Sequence, residues 1–261
     1  MIRTAFALLC ALALLVTSIA TSPSASAQTQ SPVQSSARPL GLQPIQPVML
    51  SGSDARSQTF NQVHLPIVLG IITDHLVSGR AFDGRGSFKL DADKLFMPQA
   101  ANQTIRIYFI DEGAGYHNSL GFDFTQAGDP NPGQAYLIFP DASKPAASGQ
   151  EWMLGVPQYT RRASDPLKTG DFVDIGVGGA GWQLGLFLIS NGASGGNVKL
   201  WNDKSLNVDG IQHMVAFQIP NTNLLLVGFE DLIGGGDLDF EDTLFVVDIG
   251  FDYQTDLNLP N

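Results

Sequence analysis

From Phe60 onward no apolar run goes far before glycine, proline, asparagine or aspartate interrupts it, and this punctuation limits the folds open to the chain. Runs at residues 87–90, 104–110, 135–139, 172–177, 183–190, 214–219, 224–229 and 243–249 are β-prone. Each is bounded by a turn-forming cluster, the pattern of antiparallel strands. Only residues 65–76 show a helical period, and it is weak. Within 104–110, Ile105, Ile107 and Phe109 alternate with Arg106, which predicts a strand with one dry face and one wet face. The stretches 184–189 and 224–227 are apolar throughout and are expected in central strands between layers. Composition agrees. With 28 Gly and 15 Pro among 261 residues, and charged residues at 15% against the usual share of about 25%, a turn-rich β protein fits better than a helical bundle. The expected fold is all-β, an antiparallel β-sandwich, jelly-roll-like, in a single domain over 59–255. A domain of that size can bury a sufficient core without a metal as a folding staple.

Residues 1–27 read as a secretory signal peptide, with Arg3 as the positive start, an apolar stretch over 5–16, and Ala25-Ser26-Ala27 as the cleavage site before Gln28. The sole cysteine, Cys10, falls inside that stretch. A lipoprotein anchor is its rival use, but Leu9 stands where a small residue is wanted. Export then leaves a cysteine-free mature protein, secreted or periplasmic, that no disulfide can stabilise. No later run approaches the roughly 20 apolar residues of a helical span, so no transmembrane anchor is expected. Residues 28–58, rich in Gln, Ser and Pro, read as a flexible tether.

Charge excludes some functions and suggests another. Against 14 Lys+Arg stand 25 Asp+Glu, a net −11 with no cationic stripe, which argues against nucleic acid as a partner. The acids concentrate in Glu230, Asp231, Asp237, Asp239, Glu241 and Asp242, around three successive glycines, and no Lys or Arg follows Lys204. Like charges a few ångströms apart repel unless something positive sits among them. Hard oxygen donors on a glycine-rich turn suit Ca²⁺, while the four histidines, all outside this loop, offer little to zinc or copper. An EF-hand is excluded, because Asp242 takes the place of its obligatory glycine and Asp248 lies roughly 20 Å further along a strand. A calcium β-roll needs stacked repeats, and the chain holds one copy. An acidic turn kept for solubility is the plain alternative.

The stretch 228–247, GFEDLIGGGDLDFEDTLFVV, resembles the C-terminal signature of a bacterial domain of unknown function, DUF4114. Three upstream segments resemble the same family in order: FIDEGAGYHNSLGF at 109–122, LKTGDFVDIGVGGAGWQLGLFLISN at 167–191 and DGIQHMVAF at 209–217, so that the likeness runs over about 103–249. The resemblance implies an exported, β-rich, calcium-binding module without established catalysis. It makes Asp237, Asp239 and Asp242 the leading metal ligands, with Glu230 and Asp231 closing the site. Glu241 stands where the family commonly has Asn and is the least secure ligand. Asp111, Glu112 and Asn118 belong to the second motif, and their loop is expected to face the glycine loop as partner or as a further metal site.

Other residues carry less. Trp152, Trp182, Trp201, Tyr116 and Tyr159 would form a sugar platform if exposed together, though core positions are commoner for aromatics in a sandwich. His213 is expected to be structural, His117 exposed, and Arg161-Arg162 a solvated pair. Glu230 with Asp237 or Asp242 could serve as acid and base in a polysaccharide hydrolase, but all come from one loop and no known catalytic constellation accompanies them. The expected function is therefore a secreted calcium-binding module that adheres to extracellular glycan or an envelope protein. The hydrolase and a purely structural envelope protein are the alternatives.

Overall fold

The computed structural model describes residues 33–82, 89–93, 95–97, 101–126, 133–143 and 167–250. The expected signal peptide, Cys10, Trp152, Tyr159 and Arg161-Arg162 lie outside the described residues. Two antiparallel sheets make up the body. One runs in the order β1 (Lys89–Leu90), β8 (Met214–Gln218), β9 (Leu224–Phe229), β10 (Thr243–Asp248), β2 (Ile105–Asp111) and β5 (Phe172–Gly176). The other runs β4 (Tyr136–Phe139), β3 (Ser119–Gln126), β6 (Trp182–Ser190) and β7 (Val198–Trp201). The chain passes back and forth between the sheets, and its last strand lies beside β2, so the all-β sandwich stands as expected.

Between the sheets, Ile105, Ile107 and Phe109 of β2 and Phe245 and Val247 of β10 meet Leu120, Phe122, Leu184, Leu186 and Leu188 from the facing sheet. Each such side chain, fully buried, contributes roughly 1.5–3 kcal/mol. Strands β3 and β7 are the two that the sequence pattern conceals. The loop expected over 111–121 ends earlier, since Ser119 to Gly121 already belong to β3, and Gly121 is there because the Phe187 ring of the adjacent strand occupies the space a side chain would need.

The expectation of a wet face on β2 fails. Arg106, Tyr108 and Ile110 are as buried as their neighbours. A helical segment covers them: α1 (Ala55–Thr59), a π-turn over Phe60–His64 and α2 (Leu65–His75). Phe60 stacks on Tyr108 at 3.9 Å, and Leu65 and Val68 complete a second core on that side. The weak helical period at 65–76 is thus a real helix, which buries Leu65 and Val68 in this second core. Residues 33–58, read as a tether, are likewise seated on the body from Val33 on. Ile45 and Leu137 bond through their backbones along β4, and Met49 pairs with Phe172 on β5, so this segment covers an edge strand of each sheet. Val33 and Val48, scattered among polar residues, supply the apolar anchors that composition alone hid.

Candidate metal centre

The acidic loop is the connection of the β9–β10 hairpin. Phe229 pairs with Thr243, so Glu230 and Asp242 are the residues at the mouth of the hairpin, one on each strand end. Like charges facing each other there are unfavourable. Between them the backbone enters the left-handed region five times: at Gly234 (φ 86°), Gly235 (φ 85°), Gly236 (φ 47°), Leu238 (φ 60°) and Phe240 (φ 57°). For the two non-glycine residues this costs roughly 1–2 kcal/mol each. Phe240 offsets its share by burying its ring in the helix-side core, edge-on to Phe82, while the Phe82 amide donates to the Leu238 carbonyl at 2.7 Å.

This alternation of left-handed residues with Asp237 and Asp239 brings carboxylates together. Oxygens of Glu230, Asp237 and Asp239 lie within 4.8 Å of one another, and so do oxygens of Glu230, Asp231 and Asp242. Two ligand oxygens on one Ca²⁺ are at most about 4.6–5.2 Å apart, twice the metal–oxygen distance. Both groups therefore fit a divalent cation. The three leading candidates, Asp237, Asp239 and Asp242, and the two expected to close the site, Glu230 and Asp231, all belong to them, and Glu230 belongs to both.

The carboxylates are held by amides. The Gly79 amide donates to Asp239 Oδ2 at 2.6 Å and the Glu241 amide to Asp239 Oδ1 at 3.1 Å. The Asp231 amide donates to Asp242 Oδ2 at 2.8 Å. Glu230 Oε1 rests where a side chain on Gly236 would begin, which explains a glycine there beyond its φ. The second motif does face this loop. Fully buried Asn118 donates through Nδ2 to Asp231 Oδ2 at 2.7 Å, and its Oδ1 accepts from the Asn191 amide at 2.9 Å. With both ends of its amide engaged, Asn118 positions Asp231 rather than offering a ligand. Asp111 and Glu112 enter neither carboxylate group. The Glu241 carboxylate lies against Gly113, away from both groups.

Among the described residues, no ion pair reaches the five carboxylates. Glu230 is 1% exposed, and its Oε2 is buried without a hydrogen-bond partner. Burial, reinforced by Asp242, Asp237 and Asp239, pushes the Glu230 carboxyl up to about 8. Burial likewise raises Asp242 to about 7, and raises Asp231 against the pull of Asn118.

One brace escaped the sequence reading. Buried His213 is structural, as expected: Nε2 lies 2.9 Å from Asp209 Oδ2, and Nδ1 lies 3.3 Å from the Glu230 carbonyl. Asp209 in turn accepts from the Gly234 amide at 2.8 Å, tying the glycine turn to the start of β8. Burial works against the Asp209 carboxylate, but the Gly234 amide, His213 and the Ile211 amide together hold it down at about 2. The only signal was the spacing of Asp209 four residues before His213. His117 is exposed, beside Asp141 and Ser143. Trp182 and Trp201 do not share a surface. Trp201 packs on Phe187, whose strand β6 places Trp182 on its opposite face, against Phe124.

Fold and site together define an all-β sandwich protein with a buried acidic cluster able to hold a divalent metal. Residues 179–250, which carry β6 to β10 and the acidic loop, match the family described as a domain of unknown function, DUF4114. The match is shorter than the expected 103–249 and leaves out the 109–122 motif. No curated protein and no solved structure matches the chain.

Proposed function

We propose that the protein is an exported, calcium-binding β-sandwich module whose role is to adhere to extracellular material, a glycan or an envelope protein, without catalysis. The observation that carries the metal is Glu230, a carboxylate enclosed by four others, with one oxygen unpartnered and no cation in reach among the described residues. Five oxygen-only side chains suit Ca²⁺, which accepts irregular sets of six to eight oxygens. Calcium there would neutralise the loop and fix its outer residues. Leu232, Ile233 and Leu238, at 42%, 55% and 40% exposure, would then form a rigid apolar rim for a partner. Export rests on residues 1–27 of the sequence.

A hydrolase fits the geometry less well. Glycosidase carboxylates flank the scissile bond from opposite walls of a cleft, whereas these all come from one hairpin connection.

Thermal denaturation tests the metal. With Ca²⁺ at 100 times Kd, the native state gains about 2.7 kcal/mol, roughly 5–11 °C in Tm for a domain of this size. A melting curve indifferent to both chelator and calcium removes the proposal.

A further inference from the structure

The two carboxylate groups share Glu230, and each by itself has the dimensions of one cation's ligand set. We propose that the centre holds two divalent cations bridged by Glu230, an inner one on Asp231 and Asp242 and an outer one on Asp237 and Asp239. This rests on the calcium reading above and extends it from the presence of metal to its number and arrangement.

Charge is the first argument. Glu230, Asp231, Asp237, Asp239 and Asp242 carry five negative charges when ionised, so one divalent ion leaves 5 − 2 = 3 uncompensated, and two leave 5 − 4 = 1. Of these residues Glu230, Asp231 and Asp239 are buried, where uncompensated charge is costly. Glu230 supplies the second argument. Its Oε1 faces the Gly236 turn that leads into Asp237, while Oε2 is buried without a partner among the carboxylates. A carboxylate with two separate oxygens is the natural bridge between adjacent ions. The third argument is positional. Asp231 and Asp242 are fixed to each other and to Asn118 at the strand ends, whereas Asp237 and Asp239 are set by the left-handed turns of the loop. Two independently built supports converge on one glutamate.

The positions differ in access. Asp231 is buried and Asp242 half-buried, but Asp237 is exposed, so the outer ion stays open to solvent and to an oxygen of a partner molecule. The inner ion is structural, and the outer one exchanges more readily.

Calcium titration of the purified protein, by calorimetry and by native mass spectrometry, reads the stoichiometry directly. Two ions per chain are expected. Asp237→Asn with Asp239→Asn should leave one, Asp231→Asn with Asp242→Asn should leave one, and Glu230→Gln should weaken both at least tenfold. A wild-type count of one, or an unchanged count of two in both double variants, overturns the two-ion arrangement while leaving calcium binding intact. A wild-type count of zero overturns both readings. Should a double variant fail to fold, as judged by circular dichroism, the wild-type count still decides.

Discussion

Strand β10 has a charged centre at each end, and the two are balanced in opposite ways. At its Asp248 end, buried Arg106 meets Asp174 with a pair of bonds at 2.7 and 2.9 Å and Asp54 at 2.9 Å, and its guanidinium lies 3.8 Å above the Phe172 ring. Arg56 pairs with Asp248 at 2.7 Å beside it. At the Thr243 end, about 17 Å away at about 3.3 Å per residue, five carboxylates gather with no arginine or lysine paired to them among the described residues. Among the described residues, the fold supplies cations for the acids at one end of this strand and none for those at the other.

The contrast can be broken from either side. Arg106→Ala should have the largest effect, about 3 kcal/mol, at the low end for a buried pair because Asp54 and Asp174 reach water. That is roughly 6–12 °C in Tm, and the loss should be the same with calcium or with chelator. A calcium-dependent loss would show that the two ends are coupled.

Glu230→Gln should do the reverse, abolishing most of the calcium-induced gain while raising the melting temperature of the metal-free protein. The pH dependence carries the same sign. Glu230 and Asp242 are raised in the fold, from 4.5 to about 8 and from 3.8 to about 7, so the native state holds their protons more tightly than the unfolded chain. Stability from this source is complete below about pH 4 and drains away as pH rises through 7 to 8. A metal-free Tm that climbs between pH 5 and 8, or that falls as steeply in Glu230→Gln, would contradict the assignment.

Gly236→Ala should act next. A methyl group there meets Glu230 Oε1 at a φ of 47°, and 1–2 kcal/mol of strain corresponds to calcium binding about tenfold weaker. Unchanged affinity by titration would mean that Glu230 can turn away without loss. Glu241→Gln should be nearly silent, within about 0.5 kcal/mol and about twofold in affinity, since that carboxylate lies over Gly113 rather than in the cluster.

Eight strands were legible because each is an apolar run closed by turn residues, and the carboxylate cluster was legible because six acids crowd into 230–242 around three glycines. Strand β3 was not, since its Gly121 and buried Asp123 imitate a loop until the neighbouring Phe187 is in place. Nor was the burial of Arg106, which depends on a helix some forty residues upstream folding back over β2.

The sequence by itself determined the alternation of strand and turn, the glycines that permit left-handed backbone, and the surplus of acid near the C-terminus, because these are local properties of composition and order. Only the tertiary structure decided that Glu230 stands between two carboxylate pairs, that Asn118 reaches across from another loop to hold Asp231, and that no cation among the described residues pairs with them. Those facts depend on hairpin register and on the packing of distant segments, and electrostatic compensation is settled by distance in space rather than by distance along the chain.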